Sequence, residues 1–341
     1  MDLLCLLFYS LAVATGLLVV KKKGPVGLIA SVVLLTATGL ALAASAPMVG
    51  GTVFGSMRAL AWGIFLAAPL GLAGSAVLLR SPVAATAAAL LLGLGLDAFI
   101  WEPQALEVNH FTVASDKVSA PLRVVVIADL QTDDVGDLER EALEAAMAES
   151  PDLILFAGDY LQVPQDRFDA ETAALNELFL EVGLSGVPHV AVRGDVDVDG
   201  WKRAFDGTRG VLGSGQHTLE GAQVTALSLQ DSRNPDLQVQ PREGFHIVLG
   251  HAPDFSLTRP PADLLIAGHT HGGQVVLPGF GPLMTLSEVP REQASGHTAL
   301  DWGADLFVSR GVGMERLDAP RLRLFCRPEV MVIDVLPEPT S

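Results

Sequence analysis

The chain has 341 residues, 50% of them hydrophobic, 6% aromatic and 18% charged, an apolar balance unusual for a soluble protein of two-domain length. Its charge is unevenly divided: residues 1–102 hold five Lys/Arg and three Asp/Glu of the chain's 22 and 39, which leaves 17 and 36, about −19, for residues 103–341. That acidity argues against nucleic acid as a partner, because phosphate-backbone binding needs clustered cations, and Cys5 and Cys326 build neither a disulfide framework nor a cysteine zinc site.

Four apolar runs fill the first region, residues 1–102: Leu3 to Val20, Val26 to Ala46, Ala59 to Leu79 and Val83 to Ile100. At about 1.5 Å per residue each covers most of a hydrocarbon core of about 30 Å, so a four-helix transmembrane region is expected (3–20, 26–46, 59–79, 83–100). Lys21, Lys22 and Lys23 follow the first run, the wrong order for a cleaved signal peptide. With Arg80 they predict cytoplasmic loops, Arg58 dissenting. The carboxyl-terminal domain of this multi-pass protein of the cytoplasmic membrane is then expected outside the cytoplasm.

Residues 103–120 read as a polar connector, 121–336 as one folded domain and 337–341 as a tail. Within the domain, Leu122–Ala128, Leu153–Ala157, Val187–Val192, Phe245–Leu249 and Leu264–Ala267 are short Val/Ile/Leu runs of the kind that form buried strands. Helical stretches at Asp137–Ser150, stopped by Pro151, and Phe168–Val182 alternate with the first three, which predicts an α/β layered domain. Val211–Leu229 and Arg321–Leu336 look strand-rich and extend the sheets.

Polar residues gather where each run ends. Asp129 and Gln131 follow the first strand, Asp159 the second, Asp195 the third, His251 the fourth, and His269 and His271 the fifth. The carboxyl ends of strands in an α/β sheet share one rim, so these seven groups can converge. Carboxylate, amide and imidazole together suit two neighbouring divalent ions, Mn²⁺, Fe²⁺ or Zn²⁺, and such a pair favours in-line displacement at phosphorus. Arg310 is a candidate for holding a substrate phosphate through its guanidinium fork, with a structural ion pair as the alternative. Gln274 is a candidate for backing a ligand and His297 for a proton donor. Asp197 and Asp199 read as solvated turn residues, and His110, His189, His217 and His246 as ordinary ones.

The order of these motifs resembles the calcineurin-like metallophosphoesterase family over about residues 121–336. The resemblance is carried by GHTHGGQ (Gly268–Gln274), AGD (Ala157–Asp159) and LGH (Leu249–His251). VSRGVG (Val308–Gly313) and LFCRPEVMVIDV (Leu324–Val335) look like the bacterial membrane-associated branch that includes UDP-2,3-diacylglucosamine pyrophosphatases. The resemblance implies a four-layer αββα sandwich. It also implies that Asp159 bridges two ions, that Asp129, Gln131 and His271 complete the first, and that Asp195, His251 and His269 complete the second. Asp159, Asp195 and His251 are the residues expected to carry catalysis.

Two positions depart from the family pattern. Gln131 stands where its first block has His, and Gly194-Asp195-Val196-Asp197 replaces Gly-Asn-His-Asp/Glu, so Val196 takes the place of the imidazole that assists the leaving group. General acid help is worth about 10²–10⁴-fold. The leading expectation is a membrane-anchored phosphoesterase acting on a phosphodiester or pyrophosphate, with an amphiphilic or lipid-linked substrate favoured by the membrane. The alternative is a metal-binding sensor or scaffold that has lost turnover.

Overall fold

Apolar composition decides the first part of the chain. In the computed structural model, which describes residues 2–49 and 52–338, four helices are long and apolar enough to cross a membrane: α1 (Asp2–Lys23), α2 (Pro25–Ser45), α3 (Val53–Leu79) and α4 (Pro82–Gln104). Proline at the first helical turn starts both α2 and α4, where the missing N–H costs nothing, and the Ser81 hydroxyl accepts from Ala84 N to cap α4. Helix α3 begins six residues before the expected Ala59 because its first turn carries polar groups that hydropathy passes over. Those groups are satisfied within the unit: Ser56 Oγ donates to Ala43 O (2.7 Å), and Arg58 reaches Asp2 (2.5 Å) and Leu317 O (3.1 Å). Tyr9 donates to Ala59 O (2.9 Å), and its hydroxyl fills the space left by Gly39 and Gly63.

This first compact unit comprises the chain to Trp101 together with Glu315–Arg321. The expected domain 121–336 is therefore interrupted, by a short charged segment whose sequence has no apolar signal to mark where it packs.

The second unit spans Glu102–Met314 and the chain from Leu322. Its elements in order are β1 (Glu107–Ser115), β2 (Leu122–Ile127), α5 (Asp137–Ala148), β3 (Leu153–Phe156), α6 (Phe168–Glu181), β4 (His189–Ala191), β5 (Val211–Leu212), β6 (Gly215–Leu219), β7 (Ala222–Ala226), α7 (Leu229–Ser232), β8 (His246–Leu249), β9 (Leu264–Ala267), the small pair β10 (Val276–Leu277) and β11 (Gly281–Pro282), β12 (Gly296–Ala299), β13 (Asp305–Val308) and β14 (Glu329–Pro337). Two six-stranded mixed sheets result, ordered β1-β14-β2-β3-β4-β5 and β12-β13-β9-β8-β7-β6. Parallel pairing runs from β2 through β5, and from β7 through β9 to β13.

One core lies between the two sheets, where Val124, Val126, Leu153 and Leu155 meet Val224, Ile247, Leu249 and Ile266. Alternate residues of the first sheet, such as Val125, Ile127 and Phe156, face outward onto Leu138, Leu143, Leu175 and Phe179 of α5 and α6. Each such side chain contributes roughly 1.5–3 kcal/mol when fully buried. The outer face of the second sheet is covered by Leu227, Phe255 and Ala304 from short turns rather than long helices, so the fourth layer of the expected αββα sandwich is thin.

Two expectations change. The connector 103–120 contains β1, an edge strand paired in parallel with β14, with Phe111 and Val113 turned inward and His110, Thr112 and Ala114 exposed. Only one face is apolar, which makes the strand resemble a linker by composition. In the strand-rich tail 321–336 the strand proper begins at Glu329, and the preceding stretch is held instead by buried Arg323, which donates to the carbonyls of Arg310, Gly311, Gly313 and Cys326. Strand β14 ends at Pro337, and residues 339–341 of the expected tail lie outside the described residues.

Candidate metal centre

The ends of β2 and β3 in one sheet, and of β8 and β9 in the other, are each tied by backbone hydrogen bonds. Asp129 N donates to Gly158 O (3.0 Å), Gln131 N to Asp159 O (2.8 Å) and Gly268 N to His251 O (2.8 Å). Close approach needs glycine here: a Cβ on Gly158 (φ +93°) would lie 2.6 Å from Gly194 N and 2.8 Å from His251 Nδ1. Asp129, Gln131, Asp159, His269 and His271 all have φ between 32° and 71°, in the left-handed region. Each such residue costs about 1–3 kcal/mol, a strain that persists only where surrounding structure enforces it and that gathers at functional sites.

Asp159, Asp195, His251 and His269 each present a ligand atom, all within 4.8 Å of one another. The ring orientations are fixed from behind. His251 Nδ1 donates to Ala157 O (2.8 Å), which turns Nε2 toward the carboxylates, 3.2 Å from Asp195 Oδ1 and 3.4 Å from Asp159 Oδ2. His269 Nε2 faces Leu286 O (3.1 Å), so its Nδ1 is turned to Asp195 Oδ1 at 3.6 Å. A carbonyl on the far nitrogen is the usual device for orienting a metal-binding imidazole.

The other three candidates adjoin this group. Both Asp129 carboxylate oxygens accept from His269 N (3.1 and 3.0 Å), and Gln131 Oε1 lies 2.5 Å from His271 Nε2. His271 Nδ1 is buried and has no hydrogen-bond partner among the described residues.

Charge in the centre is unbalanced. Burial pushes Asp129 up to about 6 and Asp159 well above the usual carboxylate range, the latter also through its neighbours Asp197, Asp195 and Asp129. His251 is raised to about 10, burial working against it while Asp159, Asp195 and Asp129 outweigh burial. Asp195 is held below its ordinary value, burial opposing and the hydrogen bonds of His251 and His269 prevailing. His271 is kept neutral, pushed well down by burial and then by Arg323. Buried carboxylates packed this closely need a compensating cation, and the donor set of carboxylate, imidazole and amide oxygen fits divalent metal.

Three sequence expectations are corrected. Asp197 is buried, not a solvated turn residue, and its carboxylate accepts from the backbone N–H groups of Asp159 (3.0 Å), Tyr160 (2.8 Å) and Gly194 (2.8 Å), which shapes two ligand loops at once. Asp199 alone is open, paired with Arg193 at the surface. The Arg310 guanidinium, expected on a substrate phosphate, is instead bound by Glu107 (2.9 Å) and Glu329 (3.2 Å), the ion-pair alternative. His297 is no proton donor to the centre, since its partners are Asp305 (2.6 Å) and the ring of Phe307.

Sequence reasoning also missed Arg233. It follows α7, donates to Asp195 Oδ2 (2.6 Å) and lies 3.3 Å from His269 Nε2. No spacing or motif marks it, because its loop follows a strand that supplies no ligand.

The model of the calcineurin-like phosphoesterase family matches residues 122–273. Metallophosphoesterase YkuE of Bacillus subtilis (strain 168) is 30% identical over 270 residues, 70% of this chain and 88% of that one. Phosphodiesterase YaeI of Escherichia coli (strain K12) is 28% identical over 242 residues, 64% and 83% of the two chains. A solved dimetal phosphatase from Danio rerio overlaps at a TM-score of 0.35 and 14% identity, covering 56% of this chain and 88% of that one, too loosely for a structural argument.

Proposed function

This chain belongs to the calcineurin-like phosphoesterase family and is a metal-dependent phosphoric ester hydrolase; from that premise we propose that it cleaves a phosphodiester or pyrophosphate using two divalent ions. The observation that carries the proposal is the convergence of Asp159, Asp195, His251 and His269 within 4.8 Å, with Asp129, Gln131 and His271 beside them. In this reading Asp159 would lie between the two ions, Asp129, Gln131 and His271 would hold one, and Asp195, His251 and His269 would hold the other. Bound there, such ions would supply charge neutralisation for phosphoryl oxygens and activation of water for in-line attack. The chain itself contributes position: Ala157 O and Leu286 O hold the two imidazoles, and Asp197 holds the loops that carry Asp159 and Asp195.

The four apolar helices anchor this enzyme in the membrane, and the basic cluster Lys21–Lys23 in the last turn of α1 favours an orientation with the hydrolase domain outside the cytoplasm. Arg58, the basic residue that dissents, is paired with Asp2. An anchored domain meets amphiphilic substrates at high local concentration, so a lipid-linked phosphodiester or pyrophosphate is the favoured class. Names carried by relatives agree with the reaction: one is called a phosphodiesterase. Val196 supports a second reading, a metal-binding sensor without turnover, since no imidazole stands there.

The test pairs the metal content of the purified full chain with hydrolysis of phosphodiesters and pyrophosphates in Mn²⁺, Zn²⁺, Fe²⁺ and Mg²⁺. Up to two ions per chain with turnover supports the hydrolase. Bound metal without hydrolysis of any substrate leaves the sensor. Reporter fusions after Ser341 and near Lys23 read the orientation: activity of the former only when exported supports it.

A further inference from the structure

Val196 places an apolar side chain next to Asp195, and a different part of the fold brings a guanidinium to that carboxylate. Helix α7 is capped by Ser228, whose hydroxyl accepts from Asp231 N (3.1 Å), and is tied to the His251 loop by Ser232 Oγ, which accepts from Ala252 N (3.3 Å). Arg233 leaves the end of that helix with its backbone fixed. Its Nη2 donates to Asp195 Oδ2 (2.6 Å), while Asp195 Oδ1 faces His251 and His269. One carboxylate therefore holds the ligand cluster on one oxygen and a guanidinium on the other.

The rest of that guanidinium is open. Nη1 and Nε make no hydrogen bond among the described residues, and the side chain is 43% exposed. It borders a cavity of about 570 Å³ lined also by Asp254, the segment Leu283–Glu288 and Arg291, and Leu286 of that segment holds His269. A substrate in this cavity would meet Arg233 beside Asp195.

Resting on the hydrolase reading above, we propose that Arg233 is a catalytic residue, in contact with the phosphoryl or leaving-group oxygen in the transition state and standing in for the side chain missing at Val196. Guanidinium offers several donors in a planar fork but does not give up its proton near neutral pH. Arg233 thus stabilises negative charge without protonating the leaving group. The enzyme accordingly favours esters whose leaving groups depart as stable anions, aryl or phosphoryl groups, over simple alkyl esters.

The experiment uses the full chain in detergent with Mn²⁺ and a series of aryl phosphodiesters of graded leaving-group pKa. Arg233→Ala is expected to lose about 10²-fold in kcat, the scale of removing one transition-state donor, with Mn²⁺ content unchanged. Added guanidinium ion restores part of the loss, Arg233→Lys retains more than Arg233→Ala, and the Ala variant loses most on poor leaving groups. A kcat within twofold of wild type overturns the proposal. So does a loss that tracks Mn²⁺ content and resists guanidinium, which makes Arg233 a buttress for Asp195 alone. Wild type inactive on every ester overturns the hydrolase reading and this one with it, whereas an active wild type with an indifferent Arg233→Ala overturns this one alone.

Discussion

The helical unit and the α/β unit handle polar groups in opposite ways. Among the helices, polar side chains are few and their bonds close locally: Tyr9 on Ala59 O, Ser56 on Ala43 O, and Arg58 with Trp62 on Asp2. Helices long and apolar enough to cross a membrane would have no water there to complete a bond, and these groups have their partners within the unit. The metal centre instead concentrates carboxylates that repel one another on backbone held in the left-handed region. The polar groups of the helices are paired within their unit, whereas the centre combines strained backbone with unbalanced charge, and a bound cation would offset the charge. Substitutions at the two places should accordingly differ in size and in their dependence on metal.

The largest effect is expected at the bridge. If Asp159 is shared by two ions as proposed, Asp159→Ala should lower turnover by about 10³-fold or more, since a metal pair contributes several kcal/mol of charge stabilisation. It should also abolish stabilisation by metal. Excess Mn²⁺ at 100 times its Kd raises wild-type stability by about 2.7 kcal/mol through mass action, and thermal melts with and without Mn²⁺ read the difference. An Asp159→Ala variant that still gains its full shift would show that metal dependence does not separate the two regions at this residue.

Next comes Asp197→Ala, expected to cost about 3 kcal/mol or more of stability, because three backbone donors lose a charged acceptor in a buried place. Metal-free protein should show the same loss, which separates shaping the loops from binding the ion. Asp197→Asn keeps one acceptor oxygen and should lose less; melts of the metal-free variants make the comparison.

How far the sequence discloses each region follows from the same contrast. Hydropathy reveals the helices, since an apolar run needs no context, yet it starts α3 at Ala59 instead of Val53 where Ser56 and Arg58 interrupt it. Strand-end spacing finds the seven ligand candidates, because a parallel sheet places successive carboxyl ends on one rim. It misreads Asp197 and misses Arg233, whose importance lies in which atoms they face: the N–H groups of a loop 37 and 38 residues away, and the outer oxygen of Asp195. It credits Arg310 with phosphate because Glu107, its partner 203 residues earlier, sits in what composition calls a connector.

Val196→His tests the centre from the other direction, by adding a group. Val196 is half-buried and its N–H donates to Asp159 Oδ1 (3.0 Å), so the backbone that positions the bridge is already in place. An imidazole there supplies the proton that Arg233 cannot, and turnover of esters with poor leaving groups should rise about tenfold, the lower part of what general acid catalysis provides. Activated aryl esters should change little. A uniform change across the leaving-group series would mean that the new ring alters binding instead of proton transfer.

The smallest effect belongs to the helical unit. Tyr9→Phe deletes the hydroxyl that donates to Ala59 O and that occupies the space over Gly39 and Gly63. Hydrogen bonds between membrane helices average about 0.6 kcal/mol, because the separated helices also find partners for their polar groups. The melting temperature should fall slightly, by the same amount with and without Mn²⁺, and turnover should not change, since α1 carries no group of the metal centre. Enlarging Gly39 to Val should do more than removing the hydroxyl, as even its first added carbon would lie 2.8 Å from the Tyr9 oxygen, and packing without voids transmits such a clash directly. If Tyr9→Phe instead altered the Mn²⁺ dependence of melting, the helices would be energetically coupled to the centre, and the division between a region that anchors and a region that reacts would have to be redrawn.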